Sequence, residues 1–207
     1  MDIDRAEQLF NKLTEIVAHP LYEESPRITL AATLAVTSMQ YAASVRVLCV
    51  HSLLLGASTV IRSQFEALIR SVWALHCASD HQLGRLTTDL NKESQRASKN
   101  IPLANEMLCD LERVPQLHGL LVALNEFKES SWLPLNSFVH AGLHAVHWTR
   151  HRPPTQLVER LFRMSNGLTL LAFQGLGVLT GRLGIQDEII AATASFASCL
   201  PERRERA

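Results

Sequence analysis

Apolar residues recur along this chain at the three- and four-residue spacing of a helix, and no stretch of convincing length alternates like a strand. Ile3, Ala6, Leu9, Phe10, Leu13, Ile16 and Val17 set the pattern of a first amphipathic helix over Asp2 to Ala18. Asp2 and Asp4 suit its start and Pro20 its end. Ser25-Pro26 opens a long helix, about Arg27 to Leu55, rich in Ala, Val, Leu and Thr and expected to be buried on most sides. Gly56 is expected to break it, and Ser58 to cap the next helix over Thr59 to Ala78. Between Asp80 and Ser98 the apolar positions are sparse, which predicts an exposed helix.

Pro102 and Pro115 each start a further helix, to about Arg113 and about Glu129. Ser130-Ser131 can cap a helix from Trp132 to about Arg150, with Pro134 in its first turn, where proline is tolerated. Pro153-Pro154 closes the connection that follows. Thr155 to Thr180 is helical again, with Gly175, Gly177 and Gly181 allowing close helix contact, and Ile185 to Cys199 is the last helix. Residues 201–207 read as a solvated, disordered tail. No repeat or long linker divides residues 1–200. The expected fold is all-α: one helical bundle with long central helices.

Composition refines this picture. The chain has 207 residues, fitting one domain, and is 47% hydrophobic and 19% charged, which leaves room for a buried homodimer face. Lys plus Arg and Asp plus Glu are 20 each, so no global field collects nucleic acid; such binding needs a local basic patch. Cys49, Cys77, Cys109 and Cys199 are far apart and lie in apolar helical contexts, as expected of buried, reduced thiols in a cytoplasmic protein. The N-terminal residues lack a signal-peptide shape. The apolar run Val45 to Ile61 is interrupted by Arg46 and His51, and Leu168 to Leu183 by glycines and Arg182. Both read as core helices, so no membrane association is expected.

Two polar rows on otherwise apolar helices carry the candidate chemistry. Arg62, Glu66 and Arg70 are spaced i, i+4, i+8 and drift only about 80° around a helix, with Trp73 in the same sector. This row is either a solvated ion-pair ladder or a cleft wall whose guanidiniums fork toward a phosphate or carboxylate. On the predicted Trp132–Arg150 helix, Asn136, His140, His144, His147 and His151 fall within about 80° of one another.

The histidine row has three readings: a metal site, half-buried structural histidines, or acid-base groups. A single helix offers two ligands comfortably, not four, and Ala141 stands where an H-E-x-x-H pattern needs Glu. Neither a metal nor another cofactor is therefore expected. His147 and His151 also suit the helix C-terminal dipole when protonated. Arg150 and Arg152, beside the histidines, are local cations able to contact RNA, with Arg150 and His144 as candidate ligand-binding residues. Arg85, Lys92, Arg96 and Lys99 read as ordinary solvated surface.

From Asn136 to His140 the sequence resembles the HEPN superfamily of helical nucleotide-binding and RNase domains. That family carries an Arg-polar-x-x-x-His motif late in a helical bundle. Asn136-Ser137-Phe138-Val139-His140 matches its second part, while Leu135 occupies the arginine position. Arg62-Ser63-Gln64-Phe65-Glu66 and Ser137-Phe138-Val139-His140-Ala141-Gly142 are similar to the Arg-x-x-x-Glu and Ser-x-x-x-His-x-Gly segments of bacterial HEPN-like families. Arg163-Met164-Ser165-Asn166-Gly167 resembles the polar start of a following helix turn in them.

The resemblance implies a homodimer and metal-independent RNA cleavage, with a 2′-hydroxyl attacking the phosphate, a histidine moving a proton and an arginine stabilising negative charge. Carried over, His140 is the acid-base group and Asn136 its companion. Arg62 or Arg70 is then expected to supply the missing cation, with Glu66 orienting it. Many family members are toxins or antiviral effectors, implying an antitoxin or other protein partner. Others have lost the motif and only bind nucleotide, RNA or protein. Three functions thus stand: an RNase, a non-catalytic binding dimer, and a metal-binding helical protein.

Overall fold

The computed structural model describes residues 1–97 and 101–202, and among them every regular element is helical. Helix α1 spans Ile3–Val17, α2 Pro26–Val50, α3 Leu54–His76, α4 Asp80–Thr87 and α5 Lys92–Ala97. Then follow α6 Ala104–Leu111, α7 His118–Val139, α8 Leu143–Arg150, α9 Thr155–Leu179 and α10 Ile185–Thr193. Short 3-10 turns precede α7 and follow α10. The protein is an all-α helical bundle.

Helix α3 is its axis. It packs against α2, α6, α7 and α9, and from Ala67 to Ala74 only Arg70 escapes full burial. One apolar core joins Leu9 and Leu13 of α1, Phe65 and Trp73 of α3, Leu108 of α6, Leu124 of α7, and Phe162 of α9. Removing such side chains from water supplies the main driving force for assembly.

Several boundaries differ from the sequence expectation. The α2–α3 break falls at His51 to Leu53, not at Gly56, which is helical. The Leu53 N–H donates to Leu48 O and the Ser52 N–H to Cys49 O, with Ser52 left-handed at φ 56°. This is a Schellman stop built without glycine. Gly56 serves packing: a Cβ there would lie 3.2 Å from Leu48 Cδ2, so its absence lets α2 and α3 approach. Ser58, the expected cap, is buried within α3.

The expected helix over residues 80–98 is two helices, α4 and α5, parted at Thr88 to Asn91; Ser98 itself lies outside the described residues. Of the glycines expected to permit close contact, Gly177 meets Ile189 and Gly181 (φ 65°) meets Tyr22, whereas a Cβ on Gly175 would touch nothing. Of the expected tail, Pro201 rests against Gly167 and Glu202 pairs with Arg163 at 3.5 Å; residues 203–207 lie outside the described residues.

Helix α2 is, among the described residues, the one helix long and apolar enough to cross a membrane, and 39% of its most apolar window is buried within the bundle. The cysteines are all free, but they are not all buried. Cys49 and Cys199 are buried, Cys77 is half-buried and Cys109 is exposed. Burial raises the Cys49 thiol pKa to about 11, which keeps it protonated and unreactive near neutral pH.

Polar groups also knit the core. Gln64, 0% exposed, donates from Nε2 to Ser165 O (2.9 Å) and to Thr169 Oγ1 (3.2 Å). Its Oε1 accepts from Ser165 Oγ at 2.7 Å, and its main-chain oxygen accepts from Ser38 Oγ at 3.0 Å. This network ties α2, α3 and α9 together. Asn166 donates to Cys199 O at 2.8 Å. Arg163 to Gly167 therefore lie in the middle of α9, not at the polar start of a turn.

Candidate functional site

The α3 polar row runs beside α7. Arg62 donates from Nε to Glu66 Oε1 at 3.0 Å, and its guanidinium lies 4.8 Å above the Trp132 ring. Phe65 meets both Phe127 (4.5 Å between ring centres) and Trp132 (6.0 Å). Contacts on α7 thus advance from Phe127 to Trp132 as those on α3 retreat from Phe65 to Arg62, so the two helices are antiparallel. Glu66 and Trp132 hold the Arg62 fork on two sides, from its own helix and from its neighbour.

Arg70 lies two turns, roughly 12 Å, from Arg62 toward the start of α7. Asn136 and His140 lie one and two turns beyond Trp132 toward its end. The row is therefore spread along the α3–α7 seam. No hydrogen bond or ion pair joins Arg62 or Arg70 to Asn136, His140 or His144 among the described residues. Trp73, in the same angular sector, leaves the row: it is buried and donates to Asp110 Oδ2 at 3.1 Å.

The single histidine-bearing helix is not formed. Helix α7 begins at His118, continues through Pro134 and stops at Val139; α8 begins afresh at Leu143. Ser130 and Ser131 are inside α7 and cap nothing. At the break, the Gly142 N–H donates to Ser137 O (2.6 Å) and the Ala141 N–H to Phe138 O (3.4 Å), with Ala141 left-handed at φ 51°. This is a second Schellman stop. Ser137 Oγ then accepts from the His144 N–H at 2.9 Å, satisfying a free donor in the first turn of α8.

The Ser-x-x-x-His-x-Gly segment is thus also a device that ends one helix and starts another. His140 caps α7 in an exposed position, and His144 starts the next helix half-buried. His147 and His151 are exposed, with rings 4.7 Å apart, and His147 meets Trp148 edge-on. Arg150 is exposed at the end of α8. Among the described residues no three His, Cys, Asp or Glu side chains converge as metal ligands.

This turn makes opposite predictions for adjacent residues. Ala141→Gly is expected to stabilise the protein by about 1 kcal/mol, because the left-handed backbone penalises a Cβ. Gly142→Ala is expected to cost about 1–2 kcal/mol, since its Cβ would lie 2.8 Å from Ser137 Oγ. Urea unfolding reads both; equal signs would show that the turn does not carry the strain described.

Among the described residues, four buried side-chain atoms have no hydrogen-bond partner: Arg62 Nη1, Arg70 Nε, Asn136 Oδ1 and His144 Nδ1. All belong to the two polar rows. A buried polar atom without a partner costs about 1–3 kcal/mol, and among the described residues this cost falls on the two polar rows, which a further hydrogen-bonding group would relieve. Leu135, at the position where the HEPN resemblance asks for arginine, is 3% exposed and part of the core. A guanidinium there would point into apolar packing. Sequence periodicity could not have found the orphaned atoms, because their burial depends on how α7 packs against α3 and α8 against α7.

Residues 35–202 match the model of a family of unknown function (DUF6988), and the chain belongs to that family. No curated protein and no solved structure matches the chain. The matched stretch begins within α2 and contains both polar rows.

Proposed function

We propose that this member of the family is a HEPN-like, non-catalytic cytoplasmic binding module that acts as a homodimer and takes a phosphate-bearing ligand, RNA or nucleotide, along the α3–α7–α8 seam. The observation that carries this reading is the set of orphaned polar atoms on Arg62, Arg70, Asn136 and His144. Arg62 and Arg70 offer guanidinium donors to phosphate oxygens, and Glu66 with Trp132 fixes the Arg62 fork before ligand arrives. Asn136 and His144 are half-buried, and the polar atoms of each side chain other than the orphaned one add hydrogen-bonding groups for a sugar or base. The core position of Leu135 favours binding over cleavage, because the motif arginine has no place there.

The exposure of His140, one turn from Asn136, favours a second reading. In it His140 takes the proton of a ribose 2′-hydroxyl as that oxygen attacks the adjacent phosphorus, then passes the proton to the departing 5′-oxygen, leaving a 2′,3′-cyclic phosphate. Arg62 or Arg70 of a partner protomer then steadies the phosphorane charge.

One experiment separates the two. Fluorescence anisotropy of labelled mixed-sequence RNA should show salt-sensitive binding that weakens about tenfold in Arg62→Ala and in Arg70→Ala. Glu66→Gln keeps an amide oxygen to accept from Arg62 Nε, and so holds the fork, while removing a competing negative charge; it should therefore bind RNA more tightly. Competition by ATP distinguishes a nucleotide site from an RNA groove. RNA left intact in EDTA supports the module; cleavage in EDTA that is lost in His140→Ala supports the second reading. Absence of both RNA and ATP binding at low salt, or arginine variants that bind like the parent, sinks the proposal.

A further inference from the structure

We propose that a cleft between α1, α2 and α9 is a separate ligand site that takes an amphiphilic monoanion, a carboxylate joined to an apolar body. The cleft is a solvent-open groove of about 620 Å³, within the roughly 300–1,000 Å³ range of small-molecule sites. Phe10 and Phe173 form its aromatic floor, their rings nearly parallel at 6.0 Å, and Met39 and Val50 extend the apolar lining. Val50 is 46% exposed at the opening.

One cation stands in this lining. Arg46 is half-buried, its guanidinium 4.8 Å over the Phe10 ring, and it makes no hydrogen bond or ion pair with the described residues. Burial pulls its pKa below the usual arginine value, with Glu7 opposing the shift. The partly desolvated guanidinium beside an apolar floor gives the two halves of a recognition site. The floor removes an apolar body from water, and the fork receives a carboxylate in two parallel hydrogen bonds.

The other ionisable groups lining the cleft are Glu7 and His51, both exposed. Glu7 sits outside ion-pair distance of Arg46 and repels incoming negative charge. A single cation facing one carboxylate suits a monoanion and disfavours a phosphate dianion. The cleft shares no residue with the α3–α7–α8 seam, so this inference is independent of the RNA proposal.

Titration calorimetry of the full chain with decanoate, and with 1-decanol as its neutral counterpart, tests it. Decanoate is expected to saturate one site below its micellar concentration and to bind more tightly than decanol. Arg46→Gln should weaken decanoate binding by about tenfold through loss of the charged hydrogen bonds, with little change for decanol. Glu7→Gln, at an exposed position, should tighten decanoate by roughly twofold to fivefold. Circular dichroism checks that each variant is folded, and the Glu7 variant decides the matter if the Arg46 variant is not. Failure of decanoate to saturate, equal affinity for decanol, or decanoate affinity unmoved in the folded variants overturns the proposal.

Discussion

Gln64→Leu should lower the unfolding free energy by about 3 kcal/mol, read as a melting midpoint roughly 6–12 °C lower. Leucine nearly fills the volume of the amide, so the loss is not chiefly a cavity. It comes chiefly from Ser165 Oγ, which donates to Gln64 Oε1, and in smaller part from Thr169 Oγ1, which accepts from Gln64 Nε2 but keeps its own bond to Ser165 O. Both are buried, and water cannot reach them once the amide is gone. An orphaned buried group costs more than a pair removed together. The Gln64→Leu, Ser165→Ala double variant should therefore lose less than the sum of the single losses. A neutral Gln64→Leu would show that the network is not what fixes α3 against α9.

Trp132→Ala should cost about 2–3 kcal/mol of stability and also weaken RNA binding about tenfold. The indole is half-buried, so its loss stays below that of a fully buried tryptophan. Two contacts go with it: the edge-on packing of Phe65 and the face on which Arg62 rests. Without that face the guanidinium keeps only Glu66 and regains rotamer freedom, so ligand binding must order it again. Trp132→Phe restores part of both effects, since a phenyl ring supports a cation more weakly than an indole. If Trp132→Ala destabilises the protein while RNA affinity holds, Trp132 is a packing residue and the Arg62 fork is not part of the ligand site.

Particular residues show where the sequence was legible. The spacing of Leu9, Leu13, Phe65 and Leu68 announces helices because a helix returns the same face every three to four residues, and these positions are core. The Arg62–Glu66 pair was legible for the same reason: four residues make one turn. Helix ends were harder. Periodicity registers where a face continues, not where a left-handed residue stops it, and the two stops here use Ser52 and Ala141 instead of glycine. The histidine row was lost in this way. It depended on an unbroken helix through residues 140–142, and Ala141 turns the chain there.

The sequence by itself determined the helical class, most of the core positions and the polar row Arg62, Glu66, Arg70, because these follow from local periodicity. Tertiary structure alone decided three things. Trp132 lies against Arg62; Gln64 in the same short segment faces inward and binds α9; and, among the described residues, the buried side-chain polar atoms left without partners fall on Arg62, Arg70, Asn136 and His144. Each depends on the relative placement of helices far apart in the chain. Such placement follows from the packing of many side chains at once, and no spacing within a single helix encodes it.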